Sequence, residues 1–437
     1  MTSARQSTQA PPAGRSGRRR FGIGIPGAPD FAVLWPAAAI SFLGNGVYTT
    51  ALPLMAAELS SSPTMVSVVV FAGRLPWLLF SLPAGVLSDT FDRKRVMWLT
   101  SLLRALLTGL LAVFVMTGTG GLGLLIAMSF LVACADVLFD SGSFAVVPKL
   151  VNRDPVGVRL ANTRLTSAQI VTMNFVGPPA GGLLFGLSRA LPFAADALSF
   201  AASAALLRRM RGDYQVPSSI APRGGILAGI REGLGWVWRH PVLRWLTVVS
   251  GVFSLMSLAQ MAILVLFARD VLGLGPVGYG LLLTVGAGGS LAGTMLARHV
   301  ERIMGTSSTL AFGLVAGGCA ALLMGFAHGM VPALTAMVLG GGASMLWNVT
   351  QISLRQSCTP DRLIGRVNGV HKLVTWGAMP LGAILGGIIA TASGLHAPFL
   401  VAGVVIVLAG AAARALITPA RIALANDGAD ADDGRMT

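Results

Sequence analysis

"GVLSDTFDRKRV", residues 85–96, sets two acids and three bases into twelve positions between stretches that carry almost no charge. Over all 437 residues, charged side chains make up 11% and apolar ones 54%. A mean hydropathy of +0.74 is too high for an ordinary soluble globular chain. The segment therefore reads as a short polar connection between two apolar runs. Each run has about 20 residues, enough to cross the roughly 30 Å of bilayer hydrocarbon as a helix.

Ten more such runs follow the same pattern. The twelve spans fall at 31–54, 66–87, 96–116, 122–145, 165–187, 191–207, 245–268, 279–297, 307–327, 331–352, 371–392 and 397–416. The expected fold is an all-α membrane protein of twelve transmembrane helices. With the N-terminus in the cytoplasm, 28 of the 32 basic residues fall on the cytoplasmic side or at span ends facing it, as the positive-inside rule requires. Both termini are then cytoplasmic. The net charge of +15 reports topology and contact with anionic lipid headgroups, and a nucleic-acid partner is not expected. Arginine outnumbers lysine 29 to 3, which with the many alanines and glycines points to a bacterial source and the inner membrane.

Cys134, Cys319 and Cys358 are scattered with no CxxC pair, so neither a disulfide framework nor a metal site is expected. The chain has no GxxxxGK[ST] phosphate loop, no HExxH and no GxSxG, and its five histidines are dispersed. These absences argue against an ATP-driven pump and an intramembrane enzyme, and no cofactor is implied.

Residues 1–30 form a basic tail and 417–437 an acidic one, both read as disordered and cytoplasmic. Residues 31–207 and 245–416 make two six-helix bundles, joined by a cytoplasmic linker at 208–244. In the linker, Ile226, Ile230, Leu234 and Val237 share one face of a helix, and Trp236 and Trp238 suit the membrane interface. The halves echo each other: at an offset of 206, Lys149 meets Arg355 and Asn162 meets Asn368. "GPPAGG" (177–182) has a looser echo in "MPLGAILGG" (379–387). A duplicated, pseudo-symmetric 6+6 bundle places the expected site between the halves, near the midplane.

The loop after span 2, Gly85-x-Leu87-x-Asp89-x-x-Asp92-Arg93-Lys94-Arg95, resembles motif A of the major facilitator superfamily. The resemblance extends over the chain through topology, loop position and repeat. It implies a cytoplasmic latch in which Gly85 lets the second span approach the other half. Asp89 would face the positive end of a second-half helix, expected at span 11 beginning near His371, with Asp92 and Arg93 in the same loop. "GPPAGG", with Gly177, Pro178, Gly181 and Gly182, is similar to the core of the superfamily's antiporter signature, and implies a pliable fifth span.

A closer resemblance, to the branch with enterobactin exporters and macrolide efflux pumps, rests on "GRLPWLLFSLPAGVLSDTFDR" (73–93), "PKLV…LANTRLTSAQ" (148–169) and "FAADALSF" (193–200). This chain departs from many relatives in having Gly44-Asn45-Gly46 where an acid usually stands in span 1, and it lacks the Arg-x-x-Gln-Gly motif of span 4.

Charges inside a span are costly and need a reason. Arg74, about 12 Å into span 2 at 1.5 Å per residue, either binds an acidic group or caps backbone carbonyls. Asp136 and Asp140 lie four apart on one face of span 4. Asp136 is the candidate for proton coupling, and Asp140 either shares that role or joins Arg93 or Arg104 in a structural network. Arg104 and Asp196 read as structural. Asn45, Asn174, Gln260, Trp347, Asn348, Gln351 and Trp376 are the candidate cavity lining, neutral and aromatic enough for a hydrophobic or amphipathic substrate. The expected protein is a monomeric secondary transporter that exports a drug, natural product or siderophore by alternating access with protons as coupling ion. Uptake, lysophospholipid transport, or a sensor of the same fold that does not transport are the alternatives.

Overall fold

The computed structural model describes residue 25 and residues 28–90, 92–151, 154–212, 225–360 and 363–422. The side chains of 81–90, 144–145 and 225–230 lie outside that description. Most of both tails, the latch side chains Gly85 and Asp89, and Ile226 and Ile230 of the linker also fall outside the described residues or side chains.

The first half runs α1 (Phe31–Leu59), α2 (Pro63–Thr90), α3 (Arg93–Thr117), α4 (Leu122–Leu150), α5 (Pro155–Gln169), a π-helical segment (Ile170–Val176), α6 (Gly177–Leu187) and α7 (Leu191–Arg208). After α8 (Gly225–Arg239), the second half runs α9 (Pro241–Asp270), α10 (Pro276–Met304), α11 (Thr306–Gly325), α12 (Met330–Ser357), α13 (Ile364–Ser393) and α14 (Ala397–Leu416). Counting α5, the π segment and α6 as one, twelve described helices are long and apolar enough to span a membrane.

Helix ends follow capping chemistry rather than hydropathy. Asp92 caps α3 by accepting from the Lys94 backbone N–H at 2.9 Å, and Asp154 caps α5 by accepting from Gly157 N–H at 2.7 Å with Pro155 behind it. The helices therefore run beyond the apolar runs, most of all in the fifth span, which starts at 155 instead of 165. Helix α13 begins at Ile364, two turns ahead of the expected start near His371. That histidine is buried instead, with Nδ1 3.5 Å from Thr247 Oγ1 of α9.

Within the first bundle α1 packs on α6 and α7, α3 on α4 and α7, and α2 on α4. The second bundle repeats the plan: α9 with α13 and α14, α10 with α12, and α11 with α12 and α14. The halves meet along two seams, α2 on α13 and α6 on α10.

The start of α1 and the end of α14 lie on one face of the bundle, the termini face. Buried apolar side chains there form two separate cores. One holds Phe31, Met97, Phe139 and Leu207 of the first half, the other Leu246, Trp347, Val367 and Ile406 of the second. At the far face a single core crosses both halves, joining Tyr48, Val66 and Phe193 to Phe267, Tyr279 and Phe399. The described halves are thus sealed together at the far face and packed separately at the termini face.

Helix α8 docks on the start of α13. Gly233 has no side chain to hold it off the Arg366 backbone, Glu232 pairs with the Arg366 guanidinium, and Val237 is fully buried. Leu234 and Trp238 are exposed, the latter at 57%. The apolar face expected for the linker is therefore divided: Val237 turns to the bundle and Leu234 away from it.

Candidate transport pathway

Small residues bring α6 close to α1 within the first bundle and close to α10 across the far-face seam. Gly177 of α6 crosses Gly46 of α1 so closely that a Cβ on it would stand 2.5 Å from the Gly46 Cα. A Cβ on Gly181 would stand 2.8 Å from the Val47 carbonyl oxygen. Gly182 turns the other way, to α10, where a Cβ would overlap the Pro276 carbonyl. Gly280 of α10 returns the contact against the Pro178 carbonyl. On the second seam Thr64 of α2 donates to the Gly387 carbonyl at 3.2 Å and lies 2.8 Å from Thr391 Oγ1. Arg269 of α9 donates to the Ala57 carbonyl of α1.

The prolines of the fifth span also account for its π segment. Pro178 and Pro179 have no N–H, so the Asn174 and Phe175 carbonyls lose their i+4 donors. The helix widens ahead of them, and the Gly177 N–H reaches back five residues to Thr172. Such π turns mark places where a helix can change pitch, which fits the pliable fifth span implied by the sequence.

Near the midplane the seam carries an aromatic pair. Trp77 of α2 meets Trp376 of α13 edge to face, ring centroids 4.9 Å apart, and the Lys372 ammonium lies 5.4 Å from the Trp376 ring. Aromatic pairs of this kind contribute about 0.5–1.5 kcal/mol beyond area burial. Trp77→Ala is accordingly expected to raise the alkylation rate of a cysteine placed at Ala378 roughly 2- to 12-fold. An unchanged rate would mean that the pair does not hold the seam.

A charge cluster sits inside the first bundle. Arg104 of α3 is 1% exposed, and its Nη1 donates to Asp136 Oδ1 of α4 at 2.8 Å. Its Nη2 reaches Ser101 Oγ at 3.3 Å and Ser41 Oγ at 3.5 Å. The guanidinium carbon lies 4.1 Å from the ring centroids of both Phe139 and Phe200. Arg74 of α2 is solvent-accessible yet closely surrounded by protein, and within electrostatic reach of Asp136. It therefore lines a cleft, where a cation can meet an incoming anion. Asp140 lies within reach of Asp136, Arg104 and Lys372. The network expected for Asp140 with Arg93 or Arg104 takes a different centre: Arg104 pairs directly with Asp136, and Asp140 lies within its electrostatic reach. Buried nearby is Asp196 of α7, whose Oδ2 has no hydrogen-bond partner among the described residues.

The structure divides the expected lining. Asn45 and Trp376 are half-buried, and Asn174 is exposed on the π segment. Gln260 and Asn348 are half-buried, each amide donating to its own helix, at the Met256 carbonyl (3.3 Å) and the Ser344 carbonyl (2.9 Å). Trp347, 1% exposed, packs into the core of the second bundle near Phe253. Gln351 is buried and accepts from Arg355 Nη1 at 2.7 Å, while Arg355 Nε donates to Asn368 Oδ1 at 2.8 Å. Trp347 and Gln351 thus lie in the bundle interior and off the accessible lining. Of the described latch residues, Asp92 serves as the α3 cap and lies 3.9 Å from Arg95, and Arg93 opens the same helix.

Two six-helix bundles that share one apolar core at one face and hold separate described cores at the other have the arrangement of the major facilitator fold. The solved nucleoside transporter NupG superposes with a TM-score of 0.73 at 12% identity, over 89% of this chain and 99% of that one. The chain belongs to the transmembrane secretion effector family of the major facilitator superfamily, whose profile matches residues 27–430. It is 28% identical to the multidrug efflux pump Tap of Mycolicibacterium fortuitum, over 86% of this chain and 93% of that one. It is 24% identical to the enterobactin exporter EntS of Escherichia coli, over 87% and 91%. It is a multi-pass membrane transporter of small molecules and not an enzyme.

Proposed function

We propose that this protein exports a hydrophobic or amphipathic small molecule by alternating access, driven by inward proton flow. It does so as a monomer in the bacterial inner membrane with both termini in the cytoplasm. The observation that carries the reading is the core arrangement: one apolar core crosses the halves at the far face, and two separate cores stand at the termini face. With the basic loops inside, this conformation is open to the cytoplasm, ready to receive a molecule dissolved there or in the inner leaflet. The multidrug and enterobactin exporters among its relatives support export. Each proton that enters with the field contributes about 2.3 kcal/mol per 100 mV. Asp136, with Asp140 and Arg74 beside it, is the proposed coupling group, and Asn45, Asn174 and Trp376 the proposed accessible lining. Gly85 and Asp89 would close the cytoplasmic side when the far face opens.

Inside-out vesicles acidified by respiration test this reading, with ethidium as the amphipathic probe and a trapped pH dye in the lumen. Ethidium is expected to enter the wild-type vesicles and raise lumenal pH, and Asp136→Asn to abolish the pH response. Ethidium entry without a pH response in wild type would sink proton antiport. Lack of entry would sink export of this substrate class.

A further inference from the structure

The Arg104–Asp136 pair leaves one carboxyl of the bundle without a counter-ion. Asp196 is 0% exposed, and its Oδ2 has no partner among the described residues. Its Oδ1 has only a 3.4 Å contact from Ser199 Oγ, whose hydroxyl is already given to the Asp196 main-chain carbonyl at 2.8 Å. The carboxyl presses on Gly44 of α1, where any Cβ would collide with Asp196 Oδ1 and Ser199 Oγ. The Tyr48 hydroxyl, also on α1, is likewise buried without a hydrogen-bond partner among the described residues. Among the described residues, the titratable or charged groups facing Asp196 are Tyr48 from α1, Arg104 from α3 and Asp136 from α4. The α6 sequence Gly177–Leu187 contributes none. An ionised carboxylate in that position would have only the Arg104 guanidinium, already paired with Asp136, to offset its lost hydration, so the neutral acid is the form that fits.

We propose that Asp196 holds the exchangeable proton of the first bundle in this conformation, and that Arg104 switches between Asp136 and Asp196. When the Asp196 O–H bond breaks and the proton passes to water in the cleft, the guanidinium moves its pairing to the new carboxylate. Asp136 then falls to Arg74, already within electrostatic reach. Charge balances at each end: before release Arg74 and Arg104 stand with the Asp136 carboxylate and neutral Asp196, afterwards with two carboxylates, while Asp140 and Lys372 keep their charges throughout. In the second arrangement the Tyr48 hydroxyl faces a charged and therefore stronger acceptor. Phe139 and Phe200 hold the guanidinium between them, leaving its edge free to exchange acids.

This inference rests on the antiport reading, moves the proton from Asp136 to Asp196 and leaves Asp136 the part of exchanging Arg104, and it separates from that reading in the assay. Infrared difference spectra of the full-length protein in liposomes report a protonated carboxyl directly, by a carbonyl stretch that shifts in heavy water. The band is expected in wild type at neutral pH and absent in Asp196→Asn. Asp136→Asn, which keeps Asp196 but frees Arg104 to pair with it, is expected to lose most of the band as well. A band kept in Asp196→Asn and lost only in Asp136→Asn would overturn the proposal by giving the proton to Asp136. In vesicles, Asp196→Asn is expected to keep ethidium counterflow while ethidium-evoked proton release falls at least tenfold. Full proton release by that variant would overturn the proposal and leave antiport standing. Should Asp196→Asn fail to fold, Tyr48→Phe takes its place in the vesicle assay. It keeps the acid and is expected to slow proton release severalfold, and an unchanged rate would count against the exchange at Asp196. Absence of release from wild type would instead remove antiport, and the exchange step with it.

Discussion

Arg104→Leu is expected to cost about 3–5 kcal/mol of stability and to abolish transport. The guanidinium is 1% exposed, ion-paired at 2.8 Å and sandwiched between Phe139 and Phe200. Removing it leaves the half-buried Asp136 carboxylate unpaired except through Arg74, which stays within electrostatic reach. Breaking one member of a buried pair is far costlier than replacing both, because the orphaned charge remains. Arg104→Leu combined with Asp136→Leu is therefore expected to recover most of the lost stability while transport stays absent. Arg104→Lys should rescue poorly, since an ammonium lacks the planar faces that two phenyl rings hold and the fork that meets a carboxylate. Unfolding midpoints in detergent and ethidium efflux from cells measure the two effects separately. A single variant that unfolds at the wild-type midpoint and still exports would show that the pair carries neither fold nor function.

That pairing also marks where sequence reading stopped. The spans were legible because each apolar run is punctuated by glycine, proline or a charge cluster such as 85–96, and the alternation of basic loops allows only one count. The π segment of the fifth span also has its cause in the sequence, since two adjacent prolines must leave two carbonyls without donors. What a one-dimensional pattern lacks is rotational phase and depth between helices distant in sequence. Asp136 and Asp140 share a face of α4, but which of them lies level with Arg104 depends on how α3 is staggered against α4. Trp347, Asn348 and Gln351 show the same limit within a single helix. A step of one residue turns a helix by about 100°, so Trp347 and Gln351, four apart, face the interior together while Asn348 between them points elsewhere. Asp196 reads as structural from sequence, because the missing partner of its Oδ2 among the described residues is something no spacing displays. The fifth span's polar first half, "PVGVRLANTRLTSAQ", was missed as helix for a simpler reason: hydropathy finds the segments that lipid selects and ignores well-capped turns beyond them.

Gly182→Val is expected to hold the far face open and to cut transport at least tenfold without unfolding the protein. The atoms a new side chain would meet are the carbonyl and carbonyl carbon of Pro276, which belong to the backbone of α10 and cannot turn aside as a rotamer would. Gly280 against the Pro178 carbonyl closes the same seam from the opposite helix, so Gly280→Val is expected to act in the same direction. Overpacking of this kind costs about 1–3 kcal/mol, and only in the conformation where α6 and α10 touch. That differential is what moves a two-state equilibrium, here by roughly 5- to 150-fold toward the state open at the far face. Spin labels at Ser61 and Val331, both exposed at the far face, are expected to move apart in the variant. Labels at Val156 and Ile303, exposed at the termini face, are expected to approach each other. If both distances stay at wild-type values while export continues, the small-residue seam is packing and not a gate. If the far-face distance grows while the termini-face distance stays fixed, the halves do not rock as rigid bodies, and the π segment ahead of Gly177 becomes the place where the fifth span bends on its own.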